Sequence, residues 1–176
     1  MATSPCLTKA LVPLQFTIFL VIHPVISDDT QALISEICRE TSDYAFCSNV
    51  FIQNLPSPTT DIVGLTQVTI TQSLQAATNT ETFVEGLISS EKNKTRQDLY
   101  RICQEGYSLL ANQYAQANES FAKGDYSNVV FLESRTERFV DDCQNNVEAS
   151  PSLAEKNRQM KVLINISLIT VNLTGN

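Results

Sequence analysis

A single histidine, His23, is all this chain of 176 residues carries of the side chain on which most proton transfer near neutral pH depends. Tryptophan is absent and glycine occurs five times, a poor match to a glycine-rich phosphate-binding enzyme. Basic residues are also scarce, 12 against 19 acidic ones, for a net charge of −7. That balance argues against nucleic acid and anionic membranes as main partners, because both select a Lys/Arg excess. Only 18% of residues are charged and 43% are hydrophobic, whereas a disordered tail needs the reverse. There is room for one domain with a proper core, and not much more.

Residues 1–27 hold no acid and one base, Lys9, followed by an apolar run from Leu11 to Ile22. The run is shorter than the ~20 residues of a membrane-spanning helix, and Pro13 and Gln15 interrupt it. It reads as a cleaved secretory signal ending at or near Ser27. Its loss would remove Lys9, Cys6 and His23, leaving a charge of −8, four cysteines and no histidine over 28–176. Ser–His–Asp and Cys–His catalysis are then excluded, with the commonest zinc and copper sites.

Four cysteines in a secreted chain, Cys38, Cys47, Cys103 and Cys143, read as two disulfides. No CxxC spacing supports a metal site instead. Three pairings are open, and the nine-residue step from Cys38 to Cys47 invites a local bridge. Four N-glycosylation triplets point to the same compartment, at Asn93, Asn118, Asn165 and Asn172. Asn93 has the most polar surroundings and Asn165 the most apolar.

The hydrophobic pattern is helical. Leu99, Cys103, Gly106, Leu110, Tyr114, Ala117 and Phe121 recur at steps of three and four, which predicts a helix over about 95–123. Thr95-x-x-Asp98 reads as its capping box and Gly124 as its stop. Asp125 then caps a helix whose stripe is Val129, Leu132, Thr136, Val140, Cys143 and Val147. Ser150-Pro151 opens another, with Ser152-x-x-Glu155 as an alternative box. Its stripe is Leu153, Asn157, Met160, Ile164, Leu168 and Val171; its β-branched end also alternates like a strand, and context decides for helix. Over 61–91, Val63, Ile70, Leu74, Ala77, Val84 and Ile88 share a face. Two short apolar patches over 28–58 fit a stapled helical hairpin. The expected fold is all-α: that hairpin, then an antiparallel up-down-up-down four-helix bundle over 59–176. Antiparallel packing would set Cys103, near one helix start, beside Cys143, near the next helix end.

Chemistry-bearing groups are sparse. Glu133, Glu137 and Asp141 lie at helical spacing beside Asp142; a glycosidase or hard-metal site could use such groups, but a solvated face flanked by Arg135 and Arg138 is the simpler reading. If that row is exposed, mutual repulsion should raise at least one of its pKa values. Tyr107 and Tyr114, seven apart, read as core or rim packing. Lys92, Lys94 and Arg96 are too few for a nucleic-acid footprint. No catalytic site, metal or cofactor is expected. The chain should act by presenting a surface or holding an apolar ligand.

Ile37-Cys38-x-x-Thr41-x-x-Tyr44-x-x-Cys47, Leu99-x-x-x-Cys103-x-x-x-Tyr107, Lys123-Gly124-Asp125-Tyr126 and Cys143 with the apolar last helix together resemble the plant invertase/pectin methylesterase inhibitors over about 33–173. The resemblance implies a four-helix bundle with an N-terminal hairpin, and disulfides joining first to second and third to fourth cysteine. It also implies one-to-one binding over the active-site cleft of a cell-wall or vacuolar carbohydrate enzyme, without a cofactor. This chain departs from the family over Leu132–Cys143, where small residues are replaced by bulkier, charged ones. That region contributes to the enzyme contact in pectin methylesterase inhibitors, so Glu133, Arg135, Glu137 and Asp142 are the candidate partner-binding residues, taken as exposed. The Pro-Lys-Phe tripeptide of invertase-type members is absent, which favours pectin methylesterase over invertase. A third reading is a non-inhibitory secreted bundle, allergen-like or carrying an apolar ligand in a cavity of ~300 Å³ or more. The expected location is the apoplast, with the vacuole as an alternative.

Overall fold

The computed structural model describes residues 25–146 and 150–175. Most of the expected leader (1–24, with Cys6, Lys9 and His23) and Val147 lie outside them. Seven helices run through the described residues: α1 Asp28–Arg39, α2 Tyr44–Asn54, α3 Ile62–Ser90, α4 Lys94–Ala122, α5 Tyr126–Glu133, α6 Glu137–Asn146 and α7 Pro151–Thr174.

Side-chain oxygens start most of them, satisfying amides that a helix's first turn leaves without partners. Ser27 caps α1, Asp43 α2, Asp61 α3, Asn93 α4, Asp125 α5 and Ser150 α7. The start of α4 differs from expectation: Asn93, not Thr95, accepts from the Arg96 amide at 3.2 Å. Asn93 is one of the four glycosylation triplets, so one side chain serves both signals. At the other end, Gly124 adopts φ +73°, a conformation that costs other residues a Cβ clash. Proline follows Ser150 at the first turn of α7, where its missing N–H is not needed.

The helices α3, α4, the α5–α6 pair and α7 close a ring. α3 packs on α4 and α7, α4 on α5 and α6, and α7 on α5 and α6. Cross-links fix the directions. Near the start of α3, Gln67 Nε2 donates to Asn118 Oδ1 near the end of α4 at 2.8 Å. Thr66 and Thr174, at the start of α3 and the end of α7, share a hydroxyl hydrogen bond of 2.8 Å. Cys103 is bonded to Cys143, and Cys38 to Cys47. The bundle is therefore antiparallel between neighbours. Its core holds the α4 stripe, with Cys103, Tyr107, Leu110, Tyr114 and Ala117 fully buried. The β-branched end of α7 is helical to Thr174, with Ile164, Ile166 and Val171 buried; packing outweighs propensity there. The hairpin α1–α2 forms a second small core, in which Ile34, Ile37 and Phe51 meet Leu65, Val68, Val162 and Ile166.

Two further expectations are corrected. On α3, Val63 faces solvent and Leu65 takes the inward place. The third bundle helix is not continuous but tightens over 134–136, where the Thr136 amide and hydroxyl both donate to the Glu133 carbonyl, at 3.0 and 2.7 Å. A hydroxyl competing for the backbone in this way ends the helical ladder.

The long loop closed by Cys103–Cys143 should matter most for stability. A Cys103→Ala/Cys143→Ala variant is expected to lose about 2–5 kcal/mol in chemical denaturation, and non-reducing peptide mapping should recover the two stated bridges and no other.

Candidate functional site

The charged segment singled out in the sequence splits into an outside and an inside. Arg135, Glu137, Arg138 and Asp142 are exposed, and Asp141 is partly exposed. Arg135 stacks its guanidinium 5.1 Å from the Phe131 ring centre, and Arg138 lies 4.8 Å from that of Phe139. Cation–π pairing of this kind covers apolar rings while keeping the charge wet. Phe131 nevertheless remains 55% exposed, an unusual state for a large aromatic side chain. Asp141 pairs with Lys161 of α7 at 2.5 Å, which takes it out of any carboxylate row.

Glu133 is not a surface residue. Only 1% of it is accessible, because it ends α5 on the side that faces α7. This corrects its expected place in the contact face. Its Oε1 accepts a 2.8 Å hydrogen bond from Ser167 Oγ, and its Oε2 has no partner. Around it gathers a polar seam. Thr69 donates to the Thr66 carbonyl and shares hydrogen bonds with Ser167 and Thr170 at 3.3 and 3.1 Å. Tyr114 sits close to Glu133, Ser73, Thr136 and Ser167, yet its hydroxyl and that of Ser73 have no hydrogen-bond partner. Burial pushes the Glu133 carboxyl up to about 8, with Ser167 opposing; the Tyr114 phenol is driven up by burial first and by Glu133 second. One member of the expected acidic row is therefore raised, but by desolvation rather than by neighbouring carboxylates.

Both stripe tyrosines are core residues. The Tyr107 hydroxyl donates to Asn157 Oδ1 at 2.8 Å in the core, and Asn157 donates to Gln144 Oε1 at 3.1 Å nearer the surface, a link joining α4, α6 and α7. Of the glycosylation triplets, Asn93, Asn165 and Asn172 are exposed, and Asn118 is half-buried against Gln67. A groove of about 540 Å³ runs between α2, α3 and α7. Its lining is mixed, with amides such as Gln53, Gln72 and Asn79 beside apolar Phe46, Met160 and Leu163, where a carrier of an apolar ligand needs a predominantly apolar wall. Among the described residues no group of three His, Cys, Asp or Glu side chains is placed to hold a metal ion, and no helix is long and apolar enough to cross a membrane.

The raised carboxyl has a consequence with a definite sign. Glu133 binds its proton more tightly in the folded chain than in the unfolded one. Its contribution is complete below about pH 4.5 and is lost as pH rises toward 8. The carboxyls of Asp43, Glu91 and Glu155 are lowered, chiefly by hydrogen bonds from Phe46 N–H, Asn93 N–H and Arg158, so they act only at more acid pH. Between pH 5 and 8 the free energy of unfolding should fall, with a slope of at most about 1.4 kcal/mol per pH unit. The slope should vanish in Glu133→Gln, measured by urea denaturation across that range; an equal slope in both proteins would show that Glu133 ionises normally.

Comparison with known proteins accounts for this architecture. The chain is 25% identical to a pectinesterase inhibitor of Actinidia deliciosa over 145 residues, 80% of this chain and 78% of that one. It is 28% identical over 85 residues to the Arabidopsis thaliana cell wall/vacuolar inhibitor of fructosidase 2, about half of each chain. The fold is shared with a mutant form of a pectin methylesterase inhibitor from Arabidopsis, at a TM-score of 0.72 and 22% identity over 80% of this chain and 95% of that one. A second pectin methylesterase inhibitor structure, from Arabidopsis thaliana, aligns at a TM-score of 0.63 and 21% identity, covering 84% and 97%. The family model described as plant invertase/pectin methylesterase inhibitor matches residues 32–169, and the chain belongs to that family.

Proposed function

We propose that this chain is a secreted inhibitor of a pectin methylesterase, binding one-to-one across the enzyme's active-site cleft. The observation that carries the reading is the family match over 32–169, on a bundle whose most exposed aromatic ring among the described residues, Phe131, directly precedes the segment where the chain departs from its family's small-residue pattern. Membership of an inhibitor family also means that the chain acts on an enzyme rather than as one. The contact face consists of Phe131 on α5, Arg135 in the turn 134–136, and Glu137 and Asp142 on α6. It extends to the outer side of α4, where Ile102 and Leu109 are exposed. An aromatic anchor with an arginine beside it is a frequent centre of binding energy, and the surrounding charges set partner choice and association rate. Glu133 plays no direct part in this face.

A pectin methylesterase is favoured over an invertase because the match to the pectinesterase inhibitor spans most of both chains, whereas the match to the fructosidase inhibitor spans half. The invertase reading stays as the second one, supported by that same relative. An extracellular site of action, with the vacuole as alternative, goes with either target.

Residual-activity assays with a pectin methylesterase and an invertase, each mixed with the purified protein, separate the two. Loss of activity is expected for the esterase at a 1:1 ratio. Phe131→Ala should weaken inhibition by about 2 kcal/mol and Glu137→Lys by about 1–3 kcal/mol. Full inhibition by both variants would put the face elsewhere on the bundle.

A further inference from the structure

We infer that Glu133 is a proton-operated latch: while protonated it keeps the α5–α6 segment seated on the bundle, and its ionisation lets the contact face of that segment come away. This inference rests on the reading of α5–α6 as the enzyme-binding surface.

The geometry supplies each part of the device. Glu133 is the last residue of α5, and the tightened turn 134–136 follows it directly. Its side chain therefore goes inward at the point where the chain turns to begin α6. Phe131 and Arg135 lie two residues before and two after it and face outward. Whatever fixes Glu133 thus fixes the orientation of its two exposed neighbours.

The carboxyl enters a pocket built for a neutral group. From α7, Ser167 donates to Oε1. Tyr114 of α4 lies near it, Ser73 of α3 and Thr136 of the turn lie against Tyr114, and Thr69 of α3 shares a hydrogen bond with Ser167. Tyr114 is the titratable group that faces it, and burial keeps that phenol protonated far above neutral pH. Burial and the Ser167 hydroxyl are what set the carboxyl's proton affinity; Arg135, Glu137 and Arg138 on its own connection point to solvent. A protonated carboxyl can donate from the oxygen that has no partner, toward a hydroxyl collar in which Tyr114 and Ser73 also have acceptor capacity to spare. An ionised one cannot donate, and one hydrogen bond does not compensate a buried charge without a cation. The least costly relief is local. α5 is eight residues long, and the turn after it has already given up part of the helical ladder, so rotating Glu133 into water needs only this segment to lift while the disulfide still holds α6.

The linkage also fixes the pH window. With the open carboxyl at its ordinary affinity and the seated one raised to about 8, the opening equilibrium should grow tenfold per pH unit from about pH 5 and level off near 8. An acidic medium thus keeps the face in place and an alkaline one loosens it.

Amide hydrogen exchange of the full chain, corrected for the intrinsic pH dependence of exchange, tests the latch without any target. Expected is faster exchange at 131–139 than in the centres of α3 and α4, rising about 100-fold between pH 5.5 and 7.5 in the wild type and flat in Glu133→Gln. Glu133→Leu serves as a second neutral variant should Gln disturb packing. Exchange at 131–139 that stays as slow as in α3 and α4, or that rises equally in the neutral variants, would overturn the latch. Inhibition of a pectin methylesterase is then compared between wild type and Glu133→Gln. Equal strength at pH 5, with the wild type at least fivefold weaker at pH 8, is expected; a constant ratio overturns the coupling to binding. Absence of inhibition by either protein at pH 5 would count against the proposed target and leave the exchange result to judge the latch.

Discussion

Cys103 and Gly106, one turn apart on α4, bring that helix against α6 closely enough that a side chain at the glycine would press on backbone. A Cβ at Gly106 would stand 3.0 Å from the Phe139 carbonyl oxygen, tighter than ordinary packing allows, and the Cα atoms of Cys103 and Cys143 are 4.4 Å apart. This close seam sets the position of α6, and with it everything the chain presents on its α4–α6 side. Tyr107, one residue beyond the glycine, carries the seam inward through Asn157 to α7. Arg138 and Phe139 lie over its outer edge. A rigid scaffold of this kind loses little entropy when it docks, which is what lets a modest surface bind an enzyme tightly.

The other half of the core obeys a different rule. Around Glu133 the bundle is filled with hydroxyls rather than hydrocarbon: Thr66, Thr69, Ser73, Thr136, Ser167 and Thr170 are all buried. Several satisfy themselves on their own helix, as when Thr66 donates to the Ile62 carbonyl and Thr170 to that of Ser167. Such bonds make polar side chains tolerable inside a helix bundle, though they supply less cohesion than close-packed methyl groups. The disulfide seam and the hydroxyl seam divide the labour, one holding α6 by covalent constraint and the other holding α5 conditionally, by the state of a single proton.

Much of this was legible in the residues. The α4 stripe, the Asp125 and Ser150 caps, the Gly124 stop and the helical reading of the last segment all rest on periodicity or local backbone chemistry, and those are properties of neighbouring residues. The break at 134–136 escaped because Leu132, Thr136, Val140 and Cys143 keep steps of four and three straight through it; tightening one turn leaves the spacing of the apolar face almost unchanged. The burial of Glu133 escaped for a related reason. Spaced four from Glu137 and eight from Asp141, it looks like one of an exposed acidic row, and the hydroxyls that surround it come from segments far away in sequence. A signal was available in the small hydroxyl residues Thr66, Thr69 and Ser73 on α3 and Ser167 and Thr170 on α7, which recur at helical spacing among buried positions and mark a polar lining that some polar group must enter.

The central claim is that the α4–α6 side of the bundle is the enzyme-binding surface. Hydroxyl-radical footprinting of the chain alone and in a 1:1 mixture with an active pectin methylesterase tests it directly, because exposed aromatic and aliphatic side chains are distributed over both sides of the molecule. Labelling of exposed Phe131, Ile102 and Leu109 is expected to fall in the mixture, while that of exposed Tyr44 and partly exposed Phe46 and Phe83, on the hairpin and α3, is unchanged. Protection of Tyr44, Phe46 and Phe83 with Phe131 still fully labelled would contradict it.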